Sequence, residues 1–121
     1  MKTLVIYWSG TGNTEAMANA VADGMKAAGA DVTLWTVDDV QAGQVAGFDA
    51  VAMGCPAMGA EVLEETEFDP MYQSIKASLA GKRVGLFGSY GWGDGEWMRD
   101  WENDCKAAGA ELVREGVICC E

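Results

Sequence analysis

The feature that most constrains this chain is an alternation. Five short runs rich in Val, Leu, Ile and aromatic residues, Thr3–Trp8, Asp31–Thr36, Ala50–Gly54, Arg83–Gly88 and Leu112–Ile118, are separated by stretches whose apolar residues recur at helical spacing. Several of the runs are apolar at consecutive positions, which suits strands buried on both faces, as in a covered parallel sheet. Between them, Met17, Val21, Met25 and Ala28 form one helical stripe, with Gly29 as a C-terminal stop. Met71, Ile75 and Leu79 form a second, after Asp69-Pro70, which reads as a cap followed by proline at the first helical position. Trp97, Trp101, Cys105 and Ala108 form a third after Asp94 and direct Cys105 to the core. Asp38 to Val45 reads as a short, irregular helix.

A β-α-β-α order of this kind implies one doubly wound α/β domain over residues 1–121, with right-handed crossovers. In such sheets ligands sit outside the carboxyl ends of the strands, beside the point where strand order reverses. Three glycine-rich segments follow strands in that position, Ser9–Thr14, Cys55–Glu61 and Ser89–Gly95, and they are expected to converge. The pattern ends at Cys119-Cys120-Glu121, with nothing left to form a helix over the last part of the sheet. The expectation is an absent last helix and an apolar patch that lowers stability or drives self-association.

A formal charge of −11 with no histidine argues against nucleic acid and for basic partners. It also removes histidine-based acid–base catalysis. No apolar run approaches the length that crosses a bilayer, and Met1 to Val5 passes straight into a strand pattern. The expected location is the cytoplasm, without membrane insertion. Cys55, Cys105, Cys119 and Cys120 lack the spacing of zinc or iron–sulfur ligands and read as reduced, mostly buried thiols.

The segment Ser9-Gly10-Thr11-Gly12-Asn13-Thr14 joins a strand to a helix, where backbone N–H groups and the helix dipole favour an anion. A nucleoside-triphosphate loop would need a lysine that is missing, and a dinucleotide fingerprint would need glycine where Glu15 stands. A receiver domain would need acidic residues where Trp8-Ser9 and Cys55-Pro56 occur. What remains is a neutral cradle of hydroxyls, the Asn13 amide and backbone donors, suited to one terminal phosphate monoester. The plainer alternative is a Ser/Thr/Gly turn that caps a helix. In "GSYGWGDGEW", residues 88–97, Trp92 lies off any stripe among glycines, as for a ring displayed against a flat ligand or simply packed on the surface. In "CPAMGAE", residues 55–61, Met58 can meet an aromatic face or fill a core gap, and Glu61 can accept from a ring imide N–H.

Ser9–Thr14, Ala57-Met58-Gly59-Ala60-Glu61 and Leu86–Gly95 resemble the three FMN-binding segments of short-chain, clostridial-type flavodoxins. The resemblance continues through "EVLEETEFDP" and "WMRDWE" and covers nearly the whole chain. It implies a flavodoxin-like five-stranded sheet in the order 2-1-3-4-5, an order taken from the family and not read from the pattern. It implies FMN, with Ser9, Gly10, Thr11, Gly12, Asn13, Thr14 and Ser89 at the phosphate. Pro56, Ala57, Met58, Gly59, Ala60 and Glu61 would form one ring-side segment, with Met58 on the inner face and Glu61 at N3–H. Ser89, Tyr90, Gly91, Trp92 and Gly93 would form the other, with Trp92 on the outer face. The Gly59–Ala60 peptide would turn over on reduction and offer its carbonyl to N5–H. Ala60 departs from the Asp or Ser that relatives often carry, and the missing last helix is a second departure.

The function implied is a low-potential one-electron carrier between redox proteins, with no substrate of its own. The alternatives are an FMN domain of a larger reductase or an NAD(P)H or quinone oxidoreductase. No basic residue interrupts the stretch holding Glu61, Glu64, Glu65, Glu67 and Asp69. That run is expected to dock basic-surfaced redox partners and to disfavour added negative charge on the ring.

Overall fold

A computed structural model describes residues 2–8, 13–40, 42–45, 47–55, 67–90, 96–112 and 117–120. Strand β1 (Lys2–Tyr7) is followed by α1 (Asn13–Ala27), β2 (Asp31–Thr36), a 3-10 turn (Val37–Asp39), α2 (Ala42–Val45) and β3 (Ala50–Gly54). Then come α3 (Phe68–Ile75), continued by a 3-10 turn (Lys76–Leu79), β4 (Arg83–Tyr90), α4 (Glu96–Ala107), β5 (Glu111–Leu112) and β6 (Val117–Cys120). All pairings are parallel, in the order β2-β1-β3-β4, with β5 and β6 both beside β4. This is the expected doubly wound sheet in the order 2-1-3-4-5, its fifth position shared by two segments.

Both segments belong to the fifth strand position expected over Leu112–Ile118. Four steps along β4, from Arg83 to Phe87, correspond to six from Glu111 to Val117. Pairing with β6 also carries β4 to Tyr90, beyond the Gly88 end that its apolar run suggested.

The two faces of the sheet are covered differently. Leu4, Ile6, Val51, Met53, Val84 and Leu86 pack with Val45 of α2, Phe68, Tyr72 and Ile75 of α3, and Trp97 and Trp101 of α4. On the other face Val5, Ala52 and Phe87 meet α1 through Ala18 and Ala22. Met17, Val21 and Met25 are only half-buried beside that contact, and Ala28 is exposed just past the helix end. Among the described residues α1 alone covers this face. Beside it runs a groove of about 250 Å³ lined by Met25, Ala28, Ala30, Ala50, Arg83 and Gly85. A Cβ built on Gly85 would meet nothing within 4 Å.

Helix ends follow local chemistry. Gly29 has φ 93°; its N–H donates to Lys26 O at 3.0 Å and that of Ala30 to Met25 O at 3.0 Å, a Schellman closure that repeats at Gly109. Any other residue in that left-handed conformation is strained by roughly 1 kcal/mol or more. Helix α3 starts at Phe68, two residues before the Pro70 start that an Asp69 cap predicts, placing Pro70 third. Its first helical bond is from Met71 N–H to Glu67 O, so Pro70 still sits where no backbone donor is needed. Asp39 closes the turn after β2, its carboxylate accepting from Thr36 N–H at 3.0 Å and from Thr36 Oγ1 at 3.1 Å.

The stripe of α4 is buried as expected at Trp97, Trp101 and Cys105, whereas Ala108 is only half-buried. Trp101 stands edge-on to Phe68 and Tyr72, with centroids 5.4 and 6.2 Å away. Tyr72 donates its hydroxyl to Asp104 Oδ2 at 2.7 Å and lies 3.3 Å from Cys105 Sγ, and Lys76 Nζ is 2.8 Å from Asp104 Oδ1. Cys55 and Cys105 are buried free thiols, and burial foremost pushes the Cys105 thiol up, keeping it protonated. The side chains of Cys119 and Cys120 lie outside the described residues.

The Lys76 hydrogen bond, helped by that from Tyr72, holds the Asp104 carboxyl below its ordinary value against the opposing effect of burial. A carboxyl lowered on folding stabilises the fold above its unfolded pKa, ~3.9 for Asp, and the contribution is lost as pH falls through the native value. Urea midpoints of the native protein should therefore exceed those of Asp104→Asn near neutral pH, and the difference should close below about pH 4. A difference independent of pH would mean that the carboxylate is not the group responsible.

Candidate functional site

β1 and β3 end level with each other, beside the middle of β4. Tyr7 pairs with Gly54, and Gly54 with Phe87, so the last residues of β1 and β3 and the middle of β4 form a row across the sheet. Two bonds close the ladders just beyond it, Trp8 N–H to Gly54 O at 3.0 Å and Cys55 N–H to Phe87 O at 3.1 Å. β1 has β2 on one side and β3 on the other, so the connection after β2 crosses back over it. The strand order reverses between β1 and β3, which is where open α/β sheets hold ligands. β1 and β3, on the two sides of this reversal, precede residues 9–12 and 56–61 in the chain, and the neighbouring β4, which runs on to Tyr90, precedes 91–93.

Of the expected phosphate residues, Thr14 lies in the first turn of α1 with its side chain buried, and Asn13 begins the helix. The first-turn N–H groups of a 15-residue helix have no intrahelical acceptor, and the dipole's positive end lies there. A buried hydroxyl beside backbone donors fits a phosphate monoester held by hydrogen bonds alone. Ser89 and Tyr90 are the last two residues of β4, their side chains outside the described residues. Ser9, Gly10, Thr11, Gly12, Pro56, Ala57, Met58, Gly59, Ala60, Glu61, Gly91, Trp92 and Gly93 also lie outside them. The fold thus places Thr14 and the stems of the three segments, and these stems are brought together.

Close backbone packing supports the second stem. Gly88 is buried, and a Cβ there would overlap the Cys55 carbonyl oxygen and come within 3.3 Å of Trp97 Cζ2. Trp97 Nε1 donates to that same carbonyl at 3.4 Å. Periodicity identified Trp97 as a core residue without indicating this bond. The available signal was Pro56, because the peptide before a proline can be held only through its carbonyl.

Trp8 was read only as the end of a strand. Its indole N–H donates to Glu67 Oε1 at 3.3 Å and ties the exit of β1 to the start of α3. The alternation Leu4, Ile6, Trp8 points to the shared face, but nothing local in sequence points to Glu67. Beside this contact is a cleft of about 340 Å³ lined by Tyr7, Trp8, Glu15, Thr36, Asp38 and Glu67. Burial, then the charges of Glu15 and Asp39, push the Tyr7 phenol up, so this end of the sheet carries a negative field. Among the described residues no helix is long and apolar enough to cross a membrane.

Comparison with known proteins agrees with this geometry. The model of the flavodoxin family matches residues 5–121. The chain is 47% identical to a flavodoxin of Megasphaera elsdenii over 114 residues, 94% of this chain and 83% of that one. It is 48% identical to a flavodoxin of Clostridium beijerinckii with the same coverage. The solution structure of two-electron reduced Megasphaera elsdenii flavodoxin superposes with a TM-score of 0.91 at 46% identity, covering 96% of this chain and 85% of that one. Sheet order, the level ends of β1 and β3 and a sequence match through all three segments agree, and the chain belongs to the flavodoxin family, whose members bind FMN and carry electrons.

Proposed function

We propose that this chain binds one FMN without a covalent link and serves as a low-potential one-electron carrier between redox proteins. The observation that carries the reading is the row Tyr7, Gly54, Phe87 beside the strand-order reversal, with the stems of the three flavin-type segments just beyond it on β1, β3 and β4. FMN when bound supplies the electron-transfer chemistry. The protein's part is to hold, flank and electrostatically bias it.

Thr14, Asn13, the segment 9–12 and Ser89 bind the phosphate through hydroxyls, an amide and backbone N–H groups. Met58 and Trp92 flank the ring, with Tyr90 alongside. Glu61 would accept a hydrogen bond from the ring imide N–H, and the Gly59–Ala60 carbonyl would be available to accept one from the ring. Pro56, Ala57, Gly91 and Gly93 complete the segments. Neither lysine nor arginine occurs between Ser9 and Glu15 to neutralise the phosphate. The carboxylates of Glu15, Asp38 and Glu67 line the adjoining cleft. Added electrons thus enter a site already negative, which disfavours the fully reduced ring and lowers the second potential. The same carboxylates favour encounter with basic-surfaced partners.

Three measurements test the reading. Titration with FMN should quench flavin fluorescence at one site per chain, and riboflavin should bind at least roughly tenfold more weakly, as expected for losing charge-assisted hydrogen bonds to the phosphate. Equal affinities would contradict the phosphate assignment. Thr14→Val should weaken FMN by about tenfold or more and leave riboflavin almost unchanged, since it removes a hydroxyl bond to a charged group. Electron transfer to a basic partner should slow as salt rises through the range where the Debye length shrinks below ~10 Å. A salt-independent rate would count against electrostatic docking.

A further inference from the structure

We propose that Trp97 is a positioning residue for the flavin site: its indole N–H holds the Cys55 carbonyl and thereby sets the direction in which the chain enters residues 56–61. The inference rests on the reading that Met58 and Gly59 of that segment face FMN.

Cys55 is the last residue in register with β4, its N–H bonded to Phe87 O at 3.1 Å. Pro56 comes next and has no N–H, so the peptide joining Cys55 to Pro56 carries a single hydrogen-bonding group, the Cys55 carbonyl. That oxygen lies over Gly88, where a Cβ would overlap it, and 3.4 Å from Trp97 Nε1. The glycine admits the carbonyl to this place, and the indole supplies the donor it meets there. Only two residues separate Cys55 from Met58 and three from Gly59. A rotation of the peptide at the root would be carried straight into the part of the segment proposed to respond to reduction.

Burial of an indole on α4 does not by itself produce such a bond. Trp101, one turn further along the same stripe, is equally buried at 2% exposure, yet its Nε1 has no hydrogen-bond partner among the described residues. The N–H of Trp97 is directed at the root of the flavin segment, whereas that of Trp101 is directed at no acceptor. This contrast separates a positioning role from simple packing, and it supplies a control of the same residue type on the same helix.

The test compares Trp97→Phe with Trp101→Phe in the FMN-loaded protein, using far-UV circular dichroism to establish folding and redox titration to read both potentials. Trp97→Phe should lower the first-electron potential and bring the two potentials closer together, because the loosened root no longer favours the conformation that accepts from N5–H. Trp101→Phe removes an unused donor and should leave the gap at its native value. An unchanged gap in Trp97→Phe, or an equal shift in both variants, would overturn the proposal. If Trp97→Phe does not fold, site-specific replacement of Trp97 by 3-benzothienylalanine, an indole isostere lacking the N–H, gives the same readout. A native protein that takes up no FMN would instead overturn the carrier reading itself.

Discussion

Everything at the site depends on the register of β1, β3 and β4. Because both faces of these strands are covered, a slip of one residue would exchange the two sets of side chains. Leu4, Ile6, Val51, Met53, Val84 and Leu86 would leave the cluster formed with α3 and α4, and Val5, Ala52 and Phe87 would leave α1. Register is strongly specified wherever such an exchange would expose a core. The level row Tyr7, Gly54, Phe87 is therefore a by-product of core packing. Loops rich in glycine can begin from fixed points because the order that fixes them lies below, in the sheet.

The two layers reach that order by opposite means. On the α3 and α4 side, large rings fill the space, with Trp101 edge-on to Phe68 and Tyr72. Leaving its indole N–H unpaired costs about 1–3 kcal/mol, a penalty comparable to the gain from burying one large apolar side chain. On the α1 side, Ala18 and Ala22 allow the helix to approach the sheet closely. That approach sets the height of the first turn, and with it Thr14, relative to the end of β1. Small residues near the site are thus structural determinants even where they offer no chemistry.

This balance explains what the sequence could convey. The alternation of strand runs and helical stripes was enough for the doubly wound sheet, and β2 and β3 match their apolar runs residue for residue. The α1 stripe was legible in part: Met17, Val21 and Met25 pack half-buried against the cluster, whereas the smaller Ala18 and Ala22, which the stripe left out, are fully buried members of it. The start of α3 was displaced because Asp69-Pro70 is a strong cap signal that also fits inside a first turn. At the site, Thr14 and the three stems were legible from motif spacing. The bonds from Trp8 to Glu67 and from Trp97 to Cys55 join residues 59 and 42 positions apart, and no local pattern encodes them.

The same separation of scales bears on charge. A phosphate monoester can be held by a basic side chain or by preorganised neutral donors. A lysine in the segment 9–14 would place a permanent positive charge within Coulombic reach of the ring, where even at an effective dielectric of ~20 an interaction over several ångströms amounts to about 1 kcal/mol or more. That charge would favour the electron-rich ring and raise the potential the carrier works at. Neutral donors and a helix dipole act mostly at the phosphate itself, since the dipole's effect fades within the first turn. Holding the anion this way leaves Glu15, Asp38 and Glu67 unopposed by any basic side chain of the phosphate segment. In this reading the neutral cradle and the acidic cleft are one electrostatic arrangement, in which the cofactor is anchored at one end without being made easier to reduce at the other.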